Sequence, residues 1–141
     1  MKEKDTQNIY AYLTFNGNCR EAMTFYKHCL GGTLALQTIK ESPLSDHLPE
    51  KMKNVVLQAT LTNENFVLIG TDLVEEEGLI KGNSLSLMLY CSSEENIRNF
   101  FDKLSVGGKK KQPLIRNHYG ILFGNLTDKY GNHWVLNYNP R

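Results

Sequence analysis

Residues 18–32 read Asn18-Cys19-Arg20-Glu21-Ala22-Met23-Thr24-Phe25-Tyr26-Lys27-His28-Cys29-Leu30-Gly31-Gly32. Ala22, Phe25, Tyr26, Cys29 and Leu30 fall at i, i+3, i+4, i+7 and i+8, which is one face of an amphipathic helix. Asn16 or Asn18 is placed to cap its start, and Gly31-Gly32 to end it. Residues 92–108 repeat the pattern. Ile97, Phe100, Phe101 and Leu104 make the same stripe, Ser92 and Glu95 have capping-box spacing, and Gly107-Gly108 follows. Phe25-Tyr26 before Gly31-Gly32 is echoed by Phe100-Phe101 before Gly107-Gly108, so the chain reads as an internal duplication.

The flanking segments agree. A strand-like run precedes each helix: 9–15 (IYAYLTF) and 85–90 (LSLMLY). Further strands follow each helix. Leu57-Gln58-Ala59-Thr60-Leu61 parallels Leu122-Phe123-Gly124-Asn125-Leu126, and a polar turn then leads into a closing strand, Phe66–Gly70 or His133–Tyr138. In the second turn Asp128 and Gly131 stand at the ends of a type I turn. The expected organisation is β-α-β-β-β twice: a first module near 9–70, a linker near 71–83 and a second module near 84–139, within one domain spanning 1–141. The fold class is α+β, two βαβββ modules forming a curved mixed sheet around a cleft. Each module is of a size at which a lone core is marginal, so the two are expected to bury their faces together. Glu41–Asn54 is a long loop with two prolines, read as a mobile surface insertion or a binding lid.

Composition narrows the function classes. The chain has 141 residues, 40% hydrophobic and 22% charged, as folded proteins do. Sixteen Lys+Arg against 15 Asp+Glu leave a formal net charge of +1, no field for holding a phosphate backbone, so no nucleic-acid partner is expected. No apolar run follows Met1-Lys2-Glu3-Lys4-Asp5, and none approaches a membrane span, so neither a secretory signal nor a membrane partner is expected. Three cysteines, Cys19, Cys29 and Cys91, have no paired spacing and read as reduced thiols of a cytoplasmic protein.

The stretch Tyr12-Leu13-Thr14-Phe15-Asn16-Gly17-Asn18-Cys19-Arg20-Glu21-Ala22, with Phe25-Tyr26 and Gly31-Gly32, resembles the PhnB-like branch of the vicinal-oxygen-chelate superfamily. So do Tyr119-Gly120, Phe123-Gly124, Leu126-Thr127-Asp128-Lys129-Tyr130-Gly131 and Trp134-Val135-Leu136-Asn137. That superfamily holds glyoxalase I, extradiol dioxygenases and bleomycin-resistance proteins, and the branch often carries a "3-demethylubiquinone 3-methyltransferase-like" label. The resemblance implies the paired-module fold and a homodimer; it does not fix a reaction. A methyltransferase is not expected, because the chain has no G-x-G-x-x-G turn and no run of βαβ crossovers.

In metal-using members the resemblance implies four His, Glu or Gln ligands, which map near Ala11, Leu68 or Ile69, Leu85 or Ser86, and Val135. None is a His or a carboxylate, so no metal and no cofactor is expected. Gln58 stands where the branch often shows a His; it keeps a hydrogen-bonding tip and loses proton transfer.

The candidate site is the inward face of the strands. Alternation puts Leu13 and Phe15 on that face, with Tyr12 and Thr14 opposite. It also places His133 with Val135 and Asn137, and Phe123 and Asn125 at the positions of Gln58 and Thr60. A cleft lined by Phe15, Gln58, Phe123, Asn125, His133 and Asn137 would be apolar with a few polar points. Trp134 and Leu136 belong to the core. Of the other histidines, His28 reads as a surface residue, while His47 and His118 are further titratable candidates. Lys109-Lys110-Lys111 reads as a solvated strand edge that discourages sheet pairing; the alternative is attraction of an anionic ligand. The expected function is metal-independent binding of a small, partly apolar molecule. The alternative is a lyase, isomerase or dioxygenase-type enzyme with a displaced site around His133, His47 or His118.

Overall fold

A computed structural model describes residues 7–43, 46 and 49–141, in two compact units, 1–79 and 80–141. In the first unit the order is β1 (Ala11–Thr14), α1 (Cys19–Leu30), β2 (Thr33–Thr38), β3 (Val56–Thr62) and β4 (Val67–Thr71). The second repeats it: β5 (Leu87–Tyr90), α2 (Glu94–Ser105), β6 (Lys109–Arg116), β7 (Leu122–Thr127) and β8 (His133–Tyr138). Each unit therefore has the βαβββ order that the repeated stripe predicts. The sheets are β1-β4-β3-β2 and β5-β8-β7-β6. In each, the first strand pairs parallel with the last and the other pairs are antiparallel.

Each helix covers one face of its own sheet. Cys19, Ala22, Met23, Tyr26 and Cys29 are buried on α1 and face Ala59, Leu61 and Leu68 of the sheet core. Ile97, Phe101 and Leu104 on α2 do the same over Leu122, Leu126, Trp134 and Leu136. Burial of each such large side chain contributes about 1.5–3 kcal/mol. The approach is closest at Gly70, where a Cβ would lie 3.0 Å from Cys19 Sγ and Met23 Sδ.

The caps differ from the sequence reading. Asn18 makes no side-chain cap. Asp72, just beyond β4, takes the role: its Oδ1 accepts the Gly17 and Cys19 N–H groups at 2.9 Å, and its Oδ2 accepts the Val56 N–H at 3.1 Å. One carboxylate thus ties the N-terminus of α1 to the start of β3. In the second unit Ser93, not Ser92, caps α2 by accepting the Asn96 N–H at 3.0 Å, while Ser92 bonds the Asn96 side chain. The turn between β7 and β8 forms as expected, with the Gly131 N–H donating to the Asp128 carbonyl at 2.9 Å. The base of the 41–54 loop carries short 3-10 turns at Ile39–Glu41 and Glu50–Met52, and backbone bonds Ile39–Val55 and Lys40–Lys53 hold it closed.

Candidate functional site

Strand register decides which side chains share a face. In the first sheet Leu36, Ala59, Gly70 and Leu13 form one cross-strand row, and Gly70 touches α1, so this row faces the helix. The next row, Ala35, Thr60, Ile69 and Tyr12, lies on the helix-free face. By the same alternation Phe15, 1% exposed, continues the helix side and packs in the core. This reverses the expected orientation of the first strand: Tyr12 and Thr14, not Leu13 and Phe15, take the helix-free face. Gln58 does lie on that face, exposed and paired with Gln37, its Nε2 3.4 Å from Thr60 Oγ1. Phe15 and Gln58 therefore do not share a site.

In the second sheet the sequence reading of the faces agrees with the register. Leu89, Leu136 and Gly124 form a row that meets α2 through Phe101. The alternate rows lie on the helix-free face: Tyr90, Asn137, Phe123 and Ile115; then Met88, Val135, Asn125 and Gln112; then His133 beside Thr127. Phe123, Asn125, His133 and Asn137 thus share one surface. Tyr90 (73% exposed) and Met88 (53%) extend it at the sheet edge. At one end of this face is a cavity of about 230 Å³, lined among others by Asn83, Ser86, Lys111, Asn125, His133 and Val135.

The His133 ring is engaged at both nitrogens. Its Nε2 lies 2.9 Å from the Gly82 carbonyl, and its Nδ1 2.9 Å from Thr127 Oγ1. A carbonyl only accepts, so Nε2 carries the proton, and in the neutral ring Nδ1 accepts from the Thr127 hydroxyl. His133 is thereby a latch that holds residue 82 against β8. Beside it, Lys81 Nζ reaches Asn132 Oδ1 at 3.1 Å. His118 is exposed in a turn, its ring tilted at 40° against that of Tyr119 with centroids 4.1 Å apart. His47 lies outside the described residues.

The four positions to which metal ligands map do not fit a divalent ion. Ala11 and Leu68 are partners on the helix-facing side of their sheet. The helix-free rows offer Tyr12 with Ile69 in one unit and Met88 with Val135 in the other. Among the described residues, no three His, Cys, Asp or Glu side chains gather closely enough to hold a metal. What the second sheet offers is hydrogen bonding from amides, a hydroxyl and an ammonium beside apolar side chains.

The thiols are not poised for nucleophilic chemistry. Burial pushes Cys19 up to about 12, with nearby Asp72 adding to the shift and Arg20 opposing it; burial pushes Cys91 up to about 11. Sequence reasoning did not single out Asn83; it placed Ser86 only at a mapped metal-ligand position, and it read Lys111 within the 109–111 run as a strand edge, with attraction of an anionic ligand as the alternative. Ser86 and Asn83 sit in or near the linker, and only the β8 pairing and the His133 latch bring them to the sheet.

Comparison with known proteins accords with this architecture. The model of the family described as 3-demethylubiquinone-9 3-methyltransferase matches residues 7–137. The crystal structure of protein PA1353 from Pseudomonas aeruginosa is 32% identical, with a TM-score of 0.81 over 95% of this chain and 98% of that one. A putative 3-demethylubiquinone-9 3-methyltransferase, PhnB protein, from Bacillus cereus is 27% identical, with a TM-score of 0.74 over 94% and 99% of the two chains. A glyoxalase/bleomycin resistance protein/dioxygenase family enzyme from Burkholderia phytofirmans is similar in fold alone: 14% identity and a TM-score of 0.59, over 91% and 96%.

Proposed function

Because the chain belongs to the 3-demethylubiquinone-9 3-methyltransferase family and shares its fold with a glyoxalase/bleomycin resistance protein/dioxygenase family enzyme, we propose that it is a metal-independent binding protein for a small, partly apolar molecule. The observation that carries this reading is the helix-free face of the second sheet. There Phe123, Val135, Met88 and Tyr90 lie beside Asn125 and Asn137, next to a cavity of about 230 Å³. Apolar walls with a few fixed polar groups are what small-molecule sites are built from. The family's description does not supply the reaction. A methyl donor of nucleotide type calls for a parallel sheet with a Gly-rich strand-to-helix turn, whereas each sheet here has one parallel pair.

The second reading, an enzyme of lyase, isomerase or dioxygenase type, draws on His133, the imidazole that lines the cavity. Proton transfer there would first have to break the bond to Gly82 or to Thr127.

We further propose a cytoplasmic homodimer. Support for the dimer comes from the edge strands β1 and β5, which carry exposed Tyr12, Met88 and Tyr90 beside unpaired backbone. Support for the compartment comes from three free cysteines.

The test is thermal melting of chelator-treated protein. Ligands of the native state raise the melting temperature. The expected result is a flat response to Mg, Mn, Fe, Ni and Zn and a saturable rise with a small aromatic or amphipathic compound. A saturable rise with one metal that is lost in His133→Ala favours the enzyme instead.

A further inference from the structure

We propose that the cavity beside β8 takes a small ligand bearing one carboxylate, with Lys111 as its counter-ion; this rests on the binding-protein reading and specifies the ligand for the same site. The three consecutive lysines of β6 have different fates. Lys110 is committed to α2: its ammonium lies 3.3 Å from Asp102 and 5.6 Å from the centre of the Phe101 ring. Lys111 is the extra residue where the pairing jumps from Lys110–Leu126 to Gln112–Asn125, a bulge. Bulges of this kind recur beside functional sites. Lys111 lines the cavity opposite Asn125, and its ammonium has no hydrogen bond or ion pair among the described residues.

The same is true of the neighbouring side chains. Those of Asn83, Ser86 and Asn125 have no partner among the described residues either, and all three line the cavity. One ammonium, two amides and a hydroxyl thus line the same cavity; Asn83, Ser86 and Lys111 are exposed, so their groups meet solvent and not protein, and a ligand can take the place of that solvent. No Asp or Glu is among the lining residues, and Lys111 is the lining residue with a permanent charge. Oxygen ligands satisfy such a set, and a negatively charged oxygen makes the stronger, charge-assisted bond to the ammonium. One lining ammonium matches one negative charge, so a single carboxylate is its simplest complement. The body of the ligand then meets Val135 and the apolar face beyond it.

The experiment titrates three probes of one shape class into the full chain and follows its amide NMR spectrum. Benzoate carries the carboxylate, benzamide is its neutral counterpart, and phenyl phosphate carries the dianion. The expected result is that benzoate shifts the amides of Lys111, Asn125 and Val135 at about a tenfold lower concentration than benzamide does. Lys111→Met and Lys111→Gln remove that advantage and leave the response to benzamide in place, the rest of the spectrum reporting an intact fold. Equal binding of benzoate and benzamide, or an advantage that survives both substitutions, overturns the carboxylate proposal and leaves the binding site standing. Tighter binding of phenyl phosphate overturns the single-charge assignment. If none of the three shifts these amides, the carboxylate proposal and the binding-site reading fall together.

Discussion

The Trp134 indole N–H donates to Oδ2 of Asp128 at 2.8 Å, across the turn that joins β7 to β8. Oδ1 of the same carboxylate accepts the Tyr130 and Asn132 N–H groups at 2.8 and 3.1 Å. Asp128 is 3% exposed, and these three N–H groups are among the donors that satisfy its buried carboxyl oxygens. Asp128→Ala leaves those donors unsatisfied and is expected to cost about 2–4 kcal/mol in denaturant unfolding. Asp128→Asn, which keeps one acceptor oxygen, costs less. A double-mutant cycle with Trp134→Phe is expected to show a coupling of about 1 kcal/mol or more; additive losses would contradict the assignment.

The first unit has its own long-range tie at Asp72. Asp72→Ala is expected to lower stability by about 1–3 kcal/mol and to speed amide exchange at Gly17, Cys19 and Val56 together, because one carboxylate serves all three. Asn18→Ala, at the position that looks like the cap, is expected to stay within about 0.5 kcal/mol of the parent. The reverse ranking would put the cap back on Asn18.

The cysteines predict an alkaline limit. The folded-state values of Cys19 and Cys91, about 12 and about 11, exceed the ordinary 9.0, so the native state holds these protons more tightly than the unfolded chain. Their contribution is complete below pH 9.0 and is lost as pH rises through the folded values. Denaturation midpoints are therefore expected to fall above that pH, and less so in Cys19→Ala. At about pH 8, iodoacetamide should label native Cys19 slowly; fast labelling would contradict the buried, protonated thiol.

Acid acts through Glu94. Hydrogen bonds from Arg98 and from Arg116, at 2.9 and 2.7 Å, hold its carboxyl below the ordinary 4.5. A lowered folded value means that this contribution is present above 4.5 and is lost as pH falls below it. Glu94→Gln is expected to flatten the acid limb of the stability profile slightly, and added salt to shrink the difference, since the group is exposed. An unchanged acid limb would show that the pair contributes nothing.

The fold was legible because Phe25-Tyr26 and Phe100-Phe101 mark equivalent turns of two helices, and Gly pairs mark their ends. The faces of β7 and β8 were legible too, since Trp134 and Leu136 alternate with His133, Val135 and Asn137. The first strand was not. Tyr12, Leu13, Thr14 and Phe15 put large side chains on both faces, so alternation alone has no sign, and register with Gly70 was needed to send Phe15 into the core. Asp72 was invisible as a cap because it lies more than fifty residues from Gly17. The part of the site at Lys111 depends on a bulge, and Asn83 and Ser86 depend on the His133 latch. Neither leaves a period or a motif in the sequence.

On the proposed reading, the helix-free face of the second sheet binds a small, partly apolar molecule. The most direct measurement is a crystal structure of the protein soaked with a set of small aromatic and amphipathic compounds. Bound density is expected against Val135, Asn125 and Phe123, with polar atoms directed at Asn83, Ser86 or Lys111. Compounds found only on other surfaces, with this face bare at saturating concentration, would contradict it.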